Sequence, residues 1–227
     1  MPGRYIKRHS LQTRLTHGIV VFSVIWLAIS GLFVFVPYFT QIGSGEFVRF
    51  MRVSHRVVGV IFILVPIVSA LLAPGGFKAF LKKYFVKWTP EDKEFMKKFI
   101  PYMLSPKKVH MPDQDEVKSG QRVADGAIIV GGIMMAVSGL ALWLGGSVFH
   151  ASAEVLVVMR FVHDLFFLVL VVFVVAHAYL GAGIFQPYHG MRKLMFGDGL
   201  VRESDALYHW GFWAREELEE GDNIVER

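Results

Sequence analysis

The 227 residues contain no cysteine. Disulfides, thiolate-bound iron–sulfur clusters, cysteine-ligated zinc and haem attached through paired cysteines are therefore all excluded within this chain. Charge is scarce over four long stretches. Hydrophobic residues make up 54% of the chain and the mean hydropathy is +0.46. That is too apolar for an ordinary soluble domain and fits a small integral membrane protein. No small-residue cleavage site follows the basic opening, MPGRYIKRHSLQTRLTHG. It reads as the lead-in to a retained first helix rather than a signal peptide. The net charge of +5 is no sign of nucleic-acid binding, because its placement follows membrane topology.

Four runs are long enough to cross a bilayer, which takes about 20 apolar residues. They cover about 17–36, 55–73, 126–146 and 155–184. Pro37 ends the first, Pro74-Gly75-Gly76 closes the second, and Pro66 lies inside it, where it can kink a helix. The third is rich in small residues, which favours close helix packing. Four crossings put both termini and the connection 75–125 on one side. Of the 24 Lys and Arg, that side holds twenty; only Arg49, Arg52, Arg56 and Arg160 lie opposite. The positive-inside rule then places the termini, the loop 75–125 and the tail 186–227 in the cytoplasm. The expected fold is all-α, a single integral membrane four-helix bundle over 1–227.

The loop is patterned too. Phe77, Phe80, Leu81, Tyr84, Phe85 and Trp88 recur at helical spacing, with Lys78, Lys82, Lys83 and Lys87 opposite. This predicts an amphipathic helix in the cytoplasmic interface. Thr89-Pro90 predicts the capped start of a second. In the tail, ALYHWGFWAREELEE is a short aromatic amphipathic segment suited to a membrane surface or a partner.

The spans carry four histidines. His17 opens the first, His55 the second, and His163 and His177 share the fourth, fourteen residues apart. Fourteen residues are about 21 Å along a helix and return to within about 40° of the same face. An ionisable residue inside a span is costly and usually faces the bundle interior. Topology sets His17 and His177 near the cytoplasmic face, and His55 and His163 near the outer one. Facing histidines at matched depth suit both axial positions of a haem iron, a ligation that leaves no open site and carries electrons. The expectation is two stacked b haems, the inner on His17 and His177, the outer on His55 and His163. Gly18, Gly59 and Gly181 flank these ligands, Gly31 is level with the outer haem and Ser69 with the inner. Arg56 and Arg160, and beside them Arg52, oppose the positive-inside trend. They suit haem propionates or an acidic partner. His9, His110, His150, His189 and His209 lie outside the spans and read as surface residues; Asp164 either orients His163 or faces water. A redox-inert anchor and a proton-relaying transporter are the competing classes, and the pairing at two depths favours electron transfer.

The segments LTHG, SHR, VHD and AHAYLG carry a resemblance to the cytochrome b (gamma) subunit of membrane-bound formate dehydrogenases, in a wider group that includes the cytochrome b of nickel–iron hydrogenases. Before the third span, VKSGQR resembles that family's Asn, small residue, Gly, Gln, Lys motif, with Lys118-Ser119 where it usually has Asn and a small residue. The resemblance implies an iron–sulfur (beta) subunit on the periplasmic side, passing electrons from a catalytic (alpha) subunit that oxidises formate. It also implies a bacterial inner-membrane protein, with a menaquinone or ubiquinone reduced near the cytoplasmic face. Carried onto this chain, the quinone site lies near His177 with Ser119, Gly120 and Gln121, and with Arg122 beside them.

Overall fold

In a computed structural model, residues 3–184 and 188–227 are described. Phe185, just past the fourth run, and Gln186 and Pro187, which open the tail, lie outside them. The chain divides into two compact units, one of residues 15–74 and 133–167, the other of 1–14, 75–132 and 168–227.

The elements run β1 (Arg4–Lys7), α1 (Leu11–Phe35), α2 (Pro37–Ile42), α3 (Gly45–Leu72), α4 (Pro74–Tyr84), α5 (Pro90–Leu104), α6 (Ser119–Leu144) and α7 (Ala153–Gly181). They end with α8 (Lys193–Phe196), β2 (Leu200–Arg202), α9 (Glu203–His209), α10 (Gly211–Glu220) and β3 (Ile224–Glu226). Among the described residues, α1, α3, α6 and α7 are the four helices long and apolar enough to cross a membrane. The chain is thus a multi-pass, helical membrane protein. α1, α3 and α6 are each longer than their apolar runs, because the polar lead-in is helical as well: α1 starts at Leu11, α3 at Gly45 and α6 at Ser119.

Local chemistry sets the boundaries. Ser10 accepts from the Thr13 amide at the start of α1, and Ser44 from that of Phe47 at the start of α3. Val36 is extended, at ψ 115°, as the residue before a proline must be, so α1 stops at Phe35. Thr89 and Asp92 form a reciprocal capping box on α5, as the sequence predicts in part.

The first unit holds α1, α3 and the adjoining halves of α6 and α7. Its burial is the reverse of a soluble core. Phe22, Leu71, Val157 and Phe161 are exposed, while Ser23, Ser30 and Ser138 are buried. In a bilayer large apolar groups have no reason to hide, and small residues let helices approach. Each buried serine satisfies its hydroxyl on the carbonyl four residues back: Ile19, Trp26 and Met134.

The second unit has a core of the soluble kind. Strands β2–β1–β3 form an antiparallel sheet with β1 central. Ile6 is fully buried against Leu194, Val201, Ala206, Trp210, Trp213 and Ala214. The aromatic tail segment therefore packs on the chain's own N-terminal strand. Strands of three or four residues are too short to show alternation, so this sheet escapes sequence reading. The amphipathic helix in the loop is α4, and Phe77, Phe80, Phe85 and Trp88 in and after it are exposed.

Candidate functional site

In the first unit, α3 and α7 present His55 and His163 in matching surroundings. Ser30 Oγ lies 2.9 Å from His55 Nδ1, and Ser138 Oγ lies 2.9 Å from His163 Nδ1. Each hydroxyl already donates its only proton, to the Trp26 carbonyl at 2.7 Å and the Met134 carbonyl at 2.6 Å. Each serine must therefore accept from the imidazole. The Leu27 and Met135 carbonyls add an acceptor at each ring. Both histidines thus carry the proton on Nδ1 and keep the Nε2 lone pair for another partner, the tautomer a metal-binding imidazole needs. His163 is also an electrostatic neighbour of His55, so the two rings occupy one region. A Cβ on Gly31 would stand 3.5 Å from His55 Cε1, and one on Gly139 would stand 3.2 Å from His163 Cε1. The helices therefore close on each ring edge at a glycine. Tautomer, proximity and small-residue flanks all fit a bis-histidine haem.

Arg56 is exposed, its guanidinium 5.9 Å from the Trp143 ring, and Arg160 is exposed as well. Arg49, Arg52 and Arg56 line one cavity of about 570 Å³ with Thr40. In the same unit, Thr16 beside His17 donates to Ser69 at 2.9 Å, which ties the second turn of α1 to the α3 residue expected at the inner haem's depth.

In the second unit, His177 Nδ1 meets Asp125 Oδ1 at 3.2 Å. The other oxygen of Asp125 accepts from the Tyr84 hydroxyl at 2.6 Å and from Gln121 Nε2 at 3.1 Å. Two donors on one oxygen, with an imidazole nitrogen 3.2 Å from the other, suit a carboxylate. Burial beside Asp125 pushes the Tyr84 phenol upward, so it stays a donor. Gln121 thus reaches His177 through Asp125, and its own carbonyl oxygen is not used in that bond.

The neighbours of Gln121 are held differently. The Ser119 amide donates to Gln114 Oε1 at 3.0 Å, and its hydroxyl lies 2.7 Å from Asp92 and 2.8 Å from Gln114. A Cβ on Gly120 would meet Phe95 at 3.3 Å. Arg122 pairs with Asp92 at 3.3 Å, both side chains buried. This patch therefore fastens the start of α6 to the start of α5. Lys118 turns the other way, its ammonium 2.9 Å from His209 Nδ1 and about 5 Å from the rings of Tyr188 and Trp210.

Ser30, Ser138 and Asp125 are absent from the sequence reading, yet the chain carries their signal. Shifted by 108 residues it matches itself: HGIVVFSVIWLAISGL at 17–32 lies on DGAIIVGGIMMAVSGL at 125–140, and MRVSH at 51–55 on MRFVH at 159–163. The shift takes Ser30 to Ser138, Gly31 to Gly139, Arg52 to Arg160 and His55 to His163. A family model described as prokaryotic cytochrome b561 matches residues 8–191. No curated protein matches the chain.

Proposed function

Because the chain belongs to the prokaryotic cytochrome b561 family, whose members are membrane haem b electron-transfer proteins, we propose that it is the dihaem, quinone-reducing subunit of a respiratory formate dehydrogenase. The observation that carries this is the pair of serine-held imidazoles. His55 and His163, in one region, each keep Nε2 available by the same hydroxyl device. They hold the outer haem. His17 and His177 hold the inner one, a pairing supported by the fourteen-residue spacing of His163 and His177 and by the membrane depth of His17. Haem iron supplies one-electron redox chemistry. The histidines fix it at two depths, and the glycines leave room for its plane.

Arg56 and Arg160 serve the outer propionates, and the repeat adds Arg52, since Arg52 and Arg160 stand at the same place before their histidines. Gln121, with Ser119 and Gly120 behind it, marks the quinone site beside His177. The electron donor is a periplasmic iron–sulfur subunit bearing the formate-oxidising subunit, and both termini of this chain are cytoplasmic. The same module serving a nickel–iron hydrogenase is the second reading, favoured by the wider group to which the histidine pattern belongs.

A dithionite-reduced spectrum with b-type bands, and a pyridine haemochrome assay giving two haems per chain, are expected. No b-type haem would end the electron-transfer reading. Copurification in mild detergent separates formate dehydrogenase from hydrogenase by the subunit retained.

A further inference from the structure

The 108-residue shift that overlays the two outer histidines also pairs residues that differ. His17 falls on Asp125, and Ser69 falls on His177. At the outer level both halves supply a histidine from their second helix and a serine from their first. At the inner level the halves diverge: the first keeps its histidine on α1 and has Ser69 on α3, while the second keeps its histidine on α7 and has Asp125 on α6. Asp125 thus stands where the first half has a ligand histidine, and its carboxylate meets the Nδ1 of His177 at 3.2 Å.

From this asymmetry, and resting on the two-haem reading above, we propose that Asp125 is a positioning residue that makes His177 a more electron-donating axial ligand than His55 or His163. A hydrogen bond from Nδ1–H to a carboxylate raises the basicity of Nε2 more than one to a hydroxyl, because the acceptor carries charge. A more basic axial imidazole favours ferric over ferrous iron, and hydrogen bonding around a ligand is one of the protein's levers on haem potential. The haem bound to His177 is therefore held at a lower potential than a serine-held ligand would give. Tyr84 and Gln121 moderate the effect by spending part of the carboxylate's charge on their own hydrogen bonds.

The test is a potentiometric titration of both haems in the full-length protein, with low-temperature EPR of the ferric state. In Asp125→Asn one midpoint should rise and the other stay. A tenfold change in the one-electron reduction equilibrium, about 59 mV, is the expected scale. Asp125→Glu should return the midpoint toward that of the parent. Tyr84→Phe should move the same midpoint the opposite way, because it frees carboxylate charge for His177. That variant decides the matter if Asp125→Asn loses its haem. Two haems present with neither midpoint moved by Asp125→Asn, or by Tyr84→Phe where the first cannot be read, would overturn the proposal while leaving the two-haem reading intact. Absence of haem from the parent protein would instead overturn the two-haem reading.

Discussion

The two units treat buried polar groups in opposite ways. In the unit of α1, α3 and the adjoining parts of α6 and α7, the buried polar groups are small and neutral, and each is satisfied by the backbone of its own helix. In the unit with the sheet they include ionisable side chains, Arg122 with Asp92 and Lys118 beside His209, and half-buried Arg8 lies over Trp210 and Trp213. The contrast follows from the solvent. Hydrocarbon offers no alternative partner, so a span can bury little beyond a self-satisfied hydroxyl. A water-facing domain can bury a charge when it supplies a counter-charge or an aromatic face. His55 and His163 stand apart from both classes, each ring held at Nδ1 by the hydroxyl of Ser30 or Ser138.

The sharpest way to break this contrast is to delete a ligand. His55→Ala and His163→Ala should each remove the same one of two haems, read as halving of the pyridine haemochrome yield. His17→Ala and His177→Ala should remove the other. If His17→Ala and His163→Ala abolish one and the same haem, the pairing by depth fails.

Next in size is the charged pair of the second unit. Arg122→Ala leaves Asp92 buried without its partner, which costs about 3–5 kcal/mol. Asp92 also caps α5 and receives Ser119. Its loss should therefore loosen α5 and the start of α6 together. The expected outcome is faster proteolysis in the stretch 85–118 with both haems retained; an unchanged digestion pattern would mean that the pair does not hold this segment.

A smaller change separates tautomer control from mere packing at the outer haem. Ser138→Ala removes the hydroxyl acceptor but leaves the Met135 carbonyl at His163. Loss of such an orienting partner typically weakens a metal site by about 10–100-fold. The outer haem should then dissociate more readily, or shift its EPR g-values, while Ser138→Thr restores it. Normal retention and spectrum in Ser138→Ala would make the serine a packing residue only.

How much of this was legible beforehand divides along the same line. The four spans could be read because composition alone marks them, and the histidines because ionisable residues stand out against lipid-compatible sequence. Ser30 and Ser138 do not stand out, because serine is ordinary in such helices; the self-match at 108 residues sets them apart. Asp125 lies at the margin of an apolar run and reads as the end of a loop, while α6 carries it on the helix that faces His177. The sheet could not be read because its strands are three or four residues long. What makes Arg4–Lys7 a strand is the partner edge supplied nearly 200 residues later.

The mildest expected effect concerns Lys118, which lies just outside α6 and stands where the resembled family has asparagine. Burial, helped by nearby Arg8, pulls its ammonium down to about 7. An unfolded lysine keeps its proton to about 10.4. Between those values the unfolded chain binds the proton that the folded chain has released. The sheet unit therefore gains stability as pH rises from about 7 toward 10, by at most about 1.4 kcal/mol per pH unit. Below about 7 both states are protonated and the full cost of burying the charge is present. Lys118→Met keeps the length of the side chain against Tyr188 and Trp210 and removes the titration. Thermal unfolding of this unit, followed through Trp210 and Trp213 fluorescence, should then lose this component of its rise between pH 7 and 9. If the parent protein and Lys118→Met show parallel pH profiles, the ammonium keeps its charge throughout that range, and the faces of Tyr188 and Trp210 offset the desolvation that burial imposes.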